Sequence, residues 1–228
     1  GITAPLVKVM HRGMLEAELL GARTAEESEL LGASVAFMMT DFLKEMEAAF
    51  GSHADPTYYA ISAKMFHGPE AKGFDFVCPR DGLPSCSYVD AIDSSYTARA
   101  TIMLSWTWGY TAHTVVGTLA DWCNDNHHDP SKVYVWQCAL CCNQYRVQER
   151  TLKGEWEPFD TFRRIFERRV KTIGHVVAIM SPWDSPQYVT RAWCVFEFNT
   201  AAVTDGVKLE VICASSEREE MITRIKSG

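Results

Sequence analysis

The residues best suited to chemistry lie in HVVAIMSPWDSPQYVTRAWCVFEF, residues 175–198, where an apolar run ends in Ser181-Pro182 and leads into a stretch bearing Trp193, Cys194 and Glu197. Trp193 and Glu197 are four residues apart, so an α-helix places them on one face, with the indole able to flank the carboxylate. Partial burial beside an aromatic ring raises the pKa of a carboxyl, which is how a reactive acid is commonly housed. The plain alternative is a glutamate that pairs with Arg191 or faces water. Two further groups follow apolar runs: Ser105, Trp106 and Trp108 after ATIMLSW (100–106), and Trp183 and Asp184 after the Ser-Pro pair. Aromatics there either stack on a flat heterocycle or finish a core.

Other chemistry-bearing clusters compete less well. Cys138 and Cys141 form a Cys-x-x-Cys, with Cys123, His127 and His128 shortly before it, and zinc takes four such ligands. These cysteines sit in KVYVWQCALCC (132–142), which reads as a buried strand with alternating faces, so no metal site is assigned. RRIFERRVK (163–171) turns Arg163, Arg164, Arg168, Arg169 and Lys171 outward if Phe166 and Val170 face in, which describes a solvated helix face or a surface for an acidic partner. Phosphate-loop patterns GxxxxGK and GxGxxG are absent. His113 and His175 have no evident nucleophile partner and read as structural.

The elements that position these residues alternate after Ala98. Apolar runs at 100–106, 132–142, 175–181 and 207–213 are separated by helical spacing at 113–123, 159–173 and 190–203. Continuous apolar strands between amphipathic helices predict a parallel sheet covered on both faces, with ligands at the carboxyl ends of its strands. Residues 1–50 read as helical: one segment over roughly 6–21, and a second begun near residue 25 by a Thr24–Glu27 capping box and carried by Leu30, Leu31, Val35, Met38, Met39, Phe42, Met46 and Phe50. Residues 51–98 are rich in Gly, Pro, Ser and Asp and read as an irregular connector with a short strand near Phe74–Val77.

With 22 Lys and Arg against 29 Asp and Glu, the chain carries a net charge of −7, which disfavours nucleic acid and anionic bilayers. No apolar stretch reaches the roughly 18 residues of a membrane span. Eight cysteines embedded in apolar runs predict reduced thiols in an intracellular, cytoplasmic compartment.

The order of motifs over about residues 99–213 resembles a TIR (Toll/interleukin-1 receptor) domain of the plant and eukaryotic-algal kind. ATIMLSW stands where that family has its first strand, KVYVWQCALCCNQ its second, and HVVAIMSP its third with a Ser-Pro exit. RAWCVFEF is similar to the Trp-Cys-x-x-Glu helix, the most specific piece. The chain departs from the family at Asn143-Gln144, where an acidic residue is usual, and in having only ASSEREEMITRIKSG after residue 213, where a fifth strand and final helix are usual.

The resemblance implies a flavodoxin-like α/β domain over 99–228, preceded by a helical extension (1–50) and the connector (51–98). It further implies an NAD+ glycohydrolase that cleaves the nicotinamide–ribose bond with NAD+ as substrate and no bound cofactor. Glu197 would be the catalytic residue, with Ser105, Trp106, Trp108, Trp183, Asp184 and Trp193 against substrate. Its non-enzymatic counterpart is a scaffold module, and both readings predict self-association or a larger assembly through the N-terminal helices and the 143–158 loop.

Overall fold

The computed structural model describes residues 23–156 and 158–227, so the helix expected over 6–21 lies outside the described residues. Strands β1 (Leu31–Ser34), β2 (Thr97–Arg99), β3 (Ile102–Ser105), β4 (Tyr134–Trp136), β5 (His175–Ile179) and β6 (Lys208–Ile212) form one mixed sheet in the order β2-β1-β4-β3-β5-β6. The four strands β4-β3-β5-β6 are mutually parallel, whereas β1 runs antiparallel to both β4 and β2. The architecture is α/β and compatible with a flavodoxin-like fold. All four residues of β3 are buried, as its central position demands.

The helices are α1 (Ala25–Glu29), α2 (35–50), α3 (58–67), α4 (Ala112–Asp125), α5 (Cys138–Cys141), α6 (Gln144–Lys153), α7 (Phe159–Ile173), α8 (Ala192–Val203) and α9 (Ser215–Ser227). The long apolar periods produced α4, α7 and α8 at nearly the expected places. In α7, Phe166 and Val170 are buried and the basic side chains lie outward, apart from Arg169, whose guanidinium sits 4.3 Å from the centre of the Trp136 ring.

The single helix expected from residue 25 is corrected. The capping box forms as expected, but α1 stops at Glu29 and residues 31–34 enter the sheet before α2 begins, with the Ser34 hydroxyl accepting from the Phe37 N–H. A short apolar run buried on both faces carries no periodic mark separating strand from helix. The π-helical turn Met38–Phe42 then continues α2, whose Phe37, Met38, Phe42 and Met46 are buried in a core that also holds Val116, Leu104 and Val177. Residues 31–99 therefore supply one edge of the sheet and part of its core.

Gly32 explains how β1 reaches that position. A Cβ placed there would sit 3.0 Å from backbone atoms of Tyr134 and Val135, which cannot swing aside as a side-chain tip can. Gly32→Ala is expected to lower unfolding stability by about 1–3 kcal/mol, the usual cost of overpacking; urea denaturation of the variant checks it.

Three further readings change. No named strand forms at Phe74–Val77: only Val77 makes a bridge, to Pro84, in a region of turns. The run 132–142 is strand only at Tyr134–Trp136 and then coils into α5, so Cys138 and Cys141 lie on a helical turn. Within the segment read as a loop, Gln144–Lys153 form α6, because Asn143 accepts from the N–H groups of Tyr145 and Arg146 and Gly154 closes the helix in the left-handed conformation. Among the described residues, no helix is long and apolar enough to cross a membrane.

Candidate active site

Strand order reverses around β3: the chain passes from β3 to β4 on one side and then to β5 on the other, and the carboxyl ends of strands at such a reversal are where α/β sheets generally take ligands. Ser105, the last residue of β3, pairs in register with Ala178 of β5 and is fully buried. A hydroxyl so placed requires partners. Its Oγ lies 2.6 Å from Glu197 Oε2 and 2.6 Å from the phenol oxygen of Tyr188. The Tyr188 oxygen in turn lies 2.8 Å from the Cys194 carbonyl, and the Cys194 thiol donates to the Trp106 carbonyl over 3.3 Å.

Local sequence explains this convergence. On α8, Cys194, Thr200 and Ala201 are buried, and Glu197, between them in the helical spacing, is partly buried with its Oε2 reaching Ser105 of β3. Tyr188 comes from the one-turn helix Gln187–Thr190 that follows Pro186, and its ring is buried. The loop after β3 closes against this turn at Gly109, where a Cβ would lie 2.6 Å from the Gln187 side-chain oxygen.

Burial pushes the Glu197 carboxyl up to about 7, against the opposing pull of the Ser105 hydroxyl and the positive charge of Arg191. Arg191 is not locked in an ion pair with it: its guanidinium donates to the Tyr59 hydroxyl and sits 5.4 Å from the centre of that ring. Burial also pushes the Cys194 thiol up to about 11, the Tyr188 phenol far above its ordinary range, and the Cys138 thiol well up. The charge of Glu197 adds to the last three shifts, which places all three groups within its field.

The remaining expected site residues divide. Trp106 and Trp108 stack with centres 5.7 Å apart, and Trp106 meets the edge of Tyr58 at 4.3 Å; both indoles act on the Cys138 thiol, which in turn feels Glu197. Trp106 is buried in the core, whereas Trp108 packs against it and is only partly buried. The Trp193 ring, in contrast, joins Phe159, Phe162 and Phe196, 4.3 Å from Phe162, and remains about half exposed. Trp183 and Asp184 face α9, where Arg224 covers the indole at 5.3 Å and pairs with Asp184 at 3.3 Å.

Sequence reasoning missed Tyr188 and the Tyr58–Tyr59 pair, and weighed Cys138 as a metal ligand and not as part of this site. Tyr188 carried one signal, a large aromatic just before the helix bearing the acid; α3 carried none that ties it to a site some 130 residues away, as Arg191 and Tyr59 are. Hollows of about 370, 440 and 460 Å³ lie elsewhere, the first two along α2 around Glu45 and Lys72 and the third between α1 and α7. Among the described residues no group of three or more His, Cys, Asp or Glu side chains could hold a metal ion.

No family model, curated protein or solved structure matches this chain.

Proposed function

We propose that the chain is a TIR-like NAD+ glycohydrolase in which Glu197 assists departure of nicotinamide from the ribose. The observation that carries the reading is a partly buried carboxyl held 2.6 Å from the Ser105 hydroxyl at the carboxyl ends of parallel strands where the chain order reverses, its pKa pushed up by burial. In the bond cleavage, the electrons of the ribose–nitrogen bond leave with the pyridinium nitrogen, which becomes neutral nicotinamide, and positive charge develops on the ribose. A carboxylate against that centre stabilises it, and water then adds to the sugar carbon, releasing a proton. Trp108, partly buried, supplies a flat face for the base, with Trp106 packed behind it, and Ser105 orients Glu197.

A second reading, a scaffold module, is favoured by Trp156, Phe159 and Trp193, which are 77%, 55% and 47% exposed around one end of α7. Incubation with NAD+ at high protein concentration, with a crowding agent, separates the two. Nicotinamide release supports the enzyme; none under any assembly state leaves the scaffold.

A further inference from the structure

The three oxygen contacts that run from Glu197 through Ser105 and Tyr188 to the Cys194 carbonyl are 2.6, 2.6 and 2.8 Å long. Each is short enough to require a proton between its oxygens. Ser105 and Tyr188 have one hydroxyl proton apiece, and the Cys194 carbonyl has none. With Glu197 ionised, two protons serve three contacts. Whichever way they point, one contact leaves two lone pairs facing each other. With Glu197 protonated, three protons serve three contacts and every one is satisfied.

We propose that Glu197 rests as a neutral acid whose O–H donates to Ser105, that Ser105 donates to Tyr188 and Tyr188 to the Cys194 carbonyl, and that Tyr188 is thereby a positioning residue for the proton on Glu197. This rests on the reading of Glu197 as the reactive group, although the proton count does not use any substrate. Loss of the proton reverses the chain: Tyr188 turns to Ser105, Ser105 turns to the carboxylate, and the Cys194 carbonyl keeps its helical backbone donor alone. The ligand that favours reversal is a cation at the carboxyl, such as a pyridinium or a ribosyl centre developing positive charge, because only a positive charge repays the contact given up.

The groups facing Glu197 agree with a neutral resting acid. The one cation that acts on it, Arg191, is turned to Tyr59; the others are the Ser105 hydroxyl from β3, the Tyr188 phenol from the preceding turn, the Cys194 thiol from its own helix and the Cys138 thiol after β4. The three titratable members of that set are held protonated by burial.

The sign of one mutational effect tests the chain. Tyr188→Phe takes two contacts from the neutral form and one from the ionised form, so the Glu197 pKa is expected to fall by roughly 0.7, the equivalent of about one hydrogen bond. If Tyr188 instead pointed permanently toward Ser105 and the carboxylate, its loss would raise the value. The measurement is a carbon NMR titration of the full chain, labelled at the glutamate side-chain carboxyls, with the Glu197 signal assigned through Glu197→Gln. A lower midpoint in Tyr188→Phe supports the proposal, and an unchanged or higher midpoint overturns it. Should that variant not fold, the wild-type signal decides: a neutral-acid shift at about pH 6 supports the resting proton and a carboxylate shift there overturns it. No NAD+ is present, so the outcome stands apart from whether nicotinamide is released.

Discussion

Glu197→Gln is expected to reduce nicotinamide release from NAD+ by roughly 10²- to 10³-fold, the loss typical when one preorganised group facing a developing charge is removed. Glutamine keeps the size of the side chain and an atom able to contact the Ser105 hydroxyl, so the packing of α8 on β3 is retained and the charge alone is lost. At NAD+ far below saturation, wild-type activity should rise with pH through about 7, the region in which Glu197 of the free protein ionises. The resting neutral acid and the active carboxylate are compatible, since a cationic substrate lowers the pKa of the group it approaches. A Gln variant with full activity would assign the chemistry to another residue.

The same substitution is expected to stabilise the fold above neutral pH. Glu197 titrates at about 7 when folded against an ordinary value of 4.5. Between those values the folded chain binds more protons than the unfolded one, so stability falls as pH rises through that window. A difference of about 2.5 corresponds to roughly 3.4 kcal/mol at most, nearly all incurred by pH 8 and lost as pH falls below about 4.5. Glutamine has no such dependence. Urea unfolding of wild type and Glu197→Gln at pH 8 should therefore show the variant ahead by up to that amount, with the gap closing towards pH 5. Equal stability of the two proteins at both pH values would mean that the carboxyl is solvated and that its housing is not as described.

The elements legible from sequence were those with a long repeat. α7 runs over Phe159–Ile173 as its phenylalanine spacing required, and α4, α8, β3, β5 and β6 fall within a few residues of the apolar runs that announced them. The parallel order of the last four strands also follows from strands alternating with helices. What escaped was short or non-local: β1 is four buried residues inside a helical-looking stretch, β2 is three residues, and α5 turns a continuous apolar run after three residues of strand. Their placement depends on neighbours far along the chain, such as Ala33 opposite Val135.

The site divides in the same way. Glu197 and Ser105 were legible because a carboxyl on an apolar helix and a hydroxyl closing an apolar strand are chemically conspicuous, even though 92 residues separate them. Tyr188 was hidden because a tyrosine before a helix has many uses, and only the folded contact with Ser105 distinguishes this one. Trp193 shows the limit of helical spacing: position i to i+4 puts two side chains on one side, but the packing of Phe159, Phe162 and Phe196 decides where the indole goes.

The central claim is that Glu197 is a partly buried acid whose ionisation drives cleavage of a nicotinamide–ribose bond. Its most direct measurement is nicotinamide release from subsaturating NAD+ as a function of pH, wild type beside Glu197→Gln at matched concentration. The account predicts release that climbs through about pH 7 in the wild type and lies near background throughout in the variant. Release of equal size and shape from both proteins would contradict it.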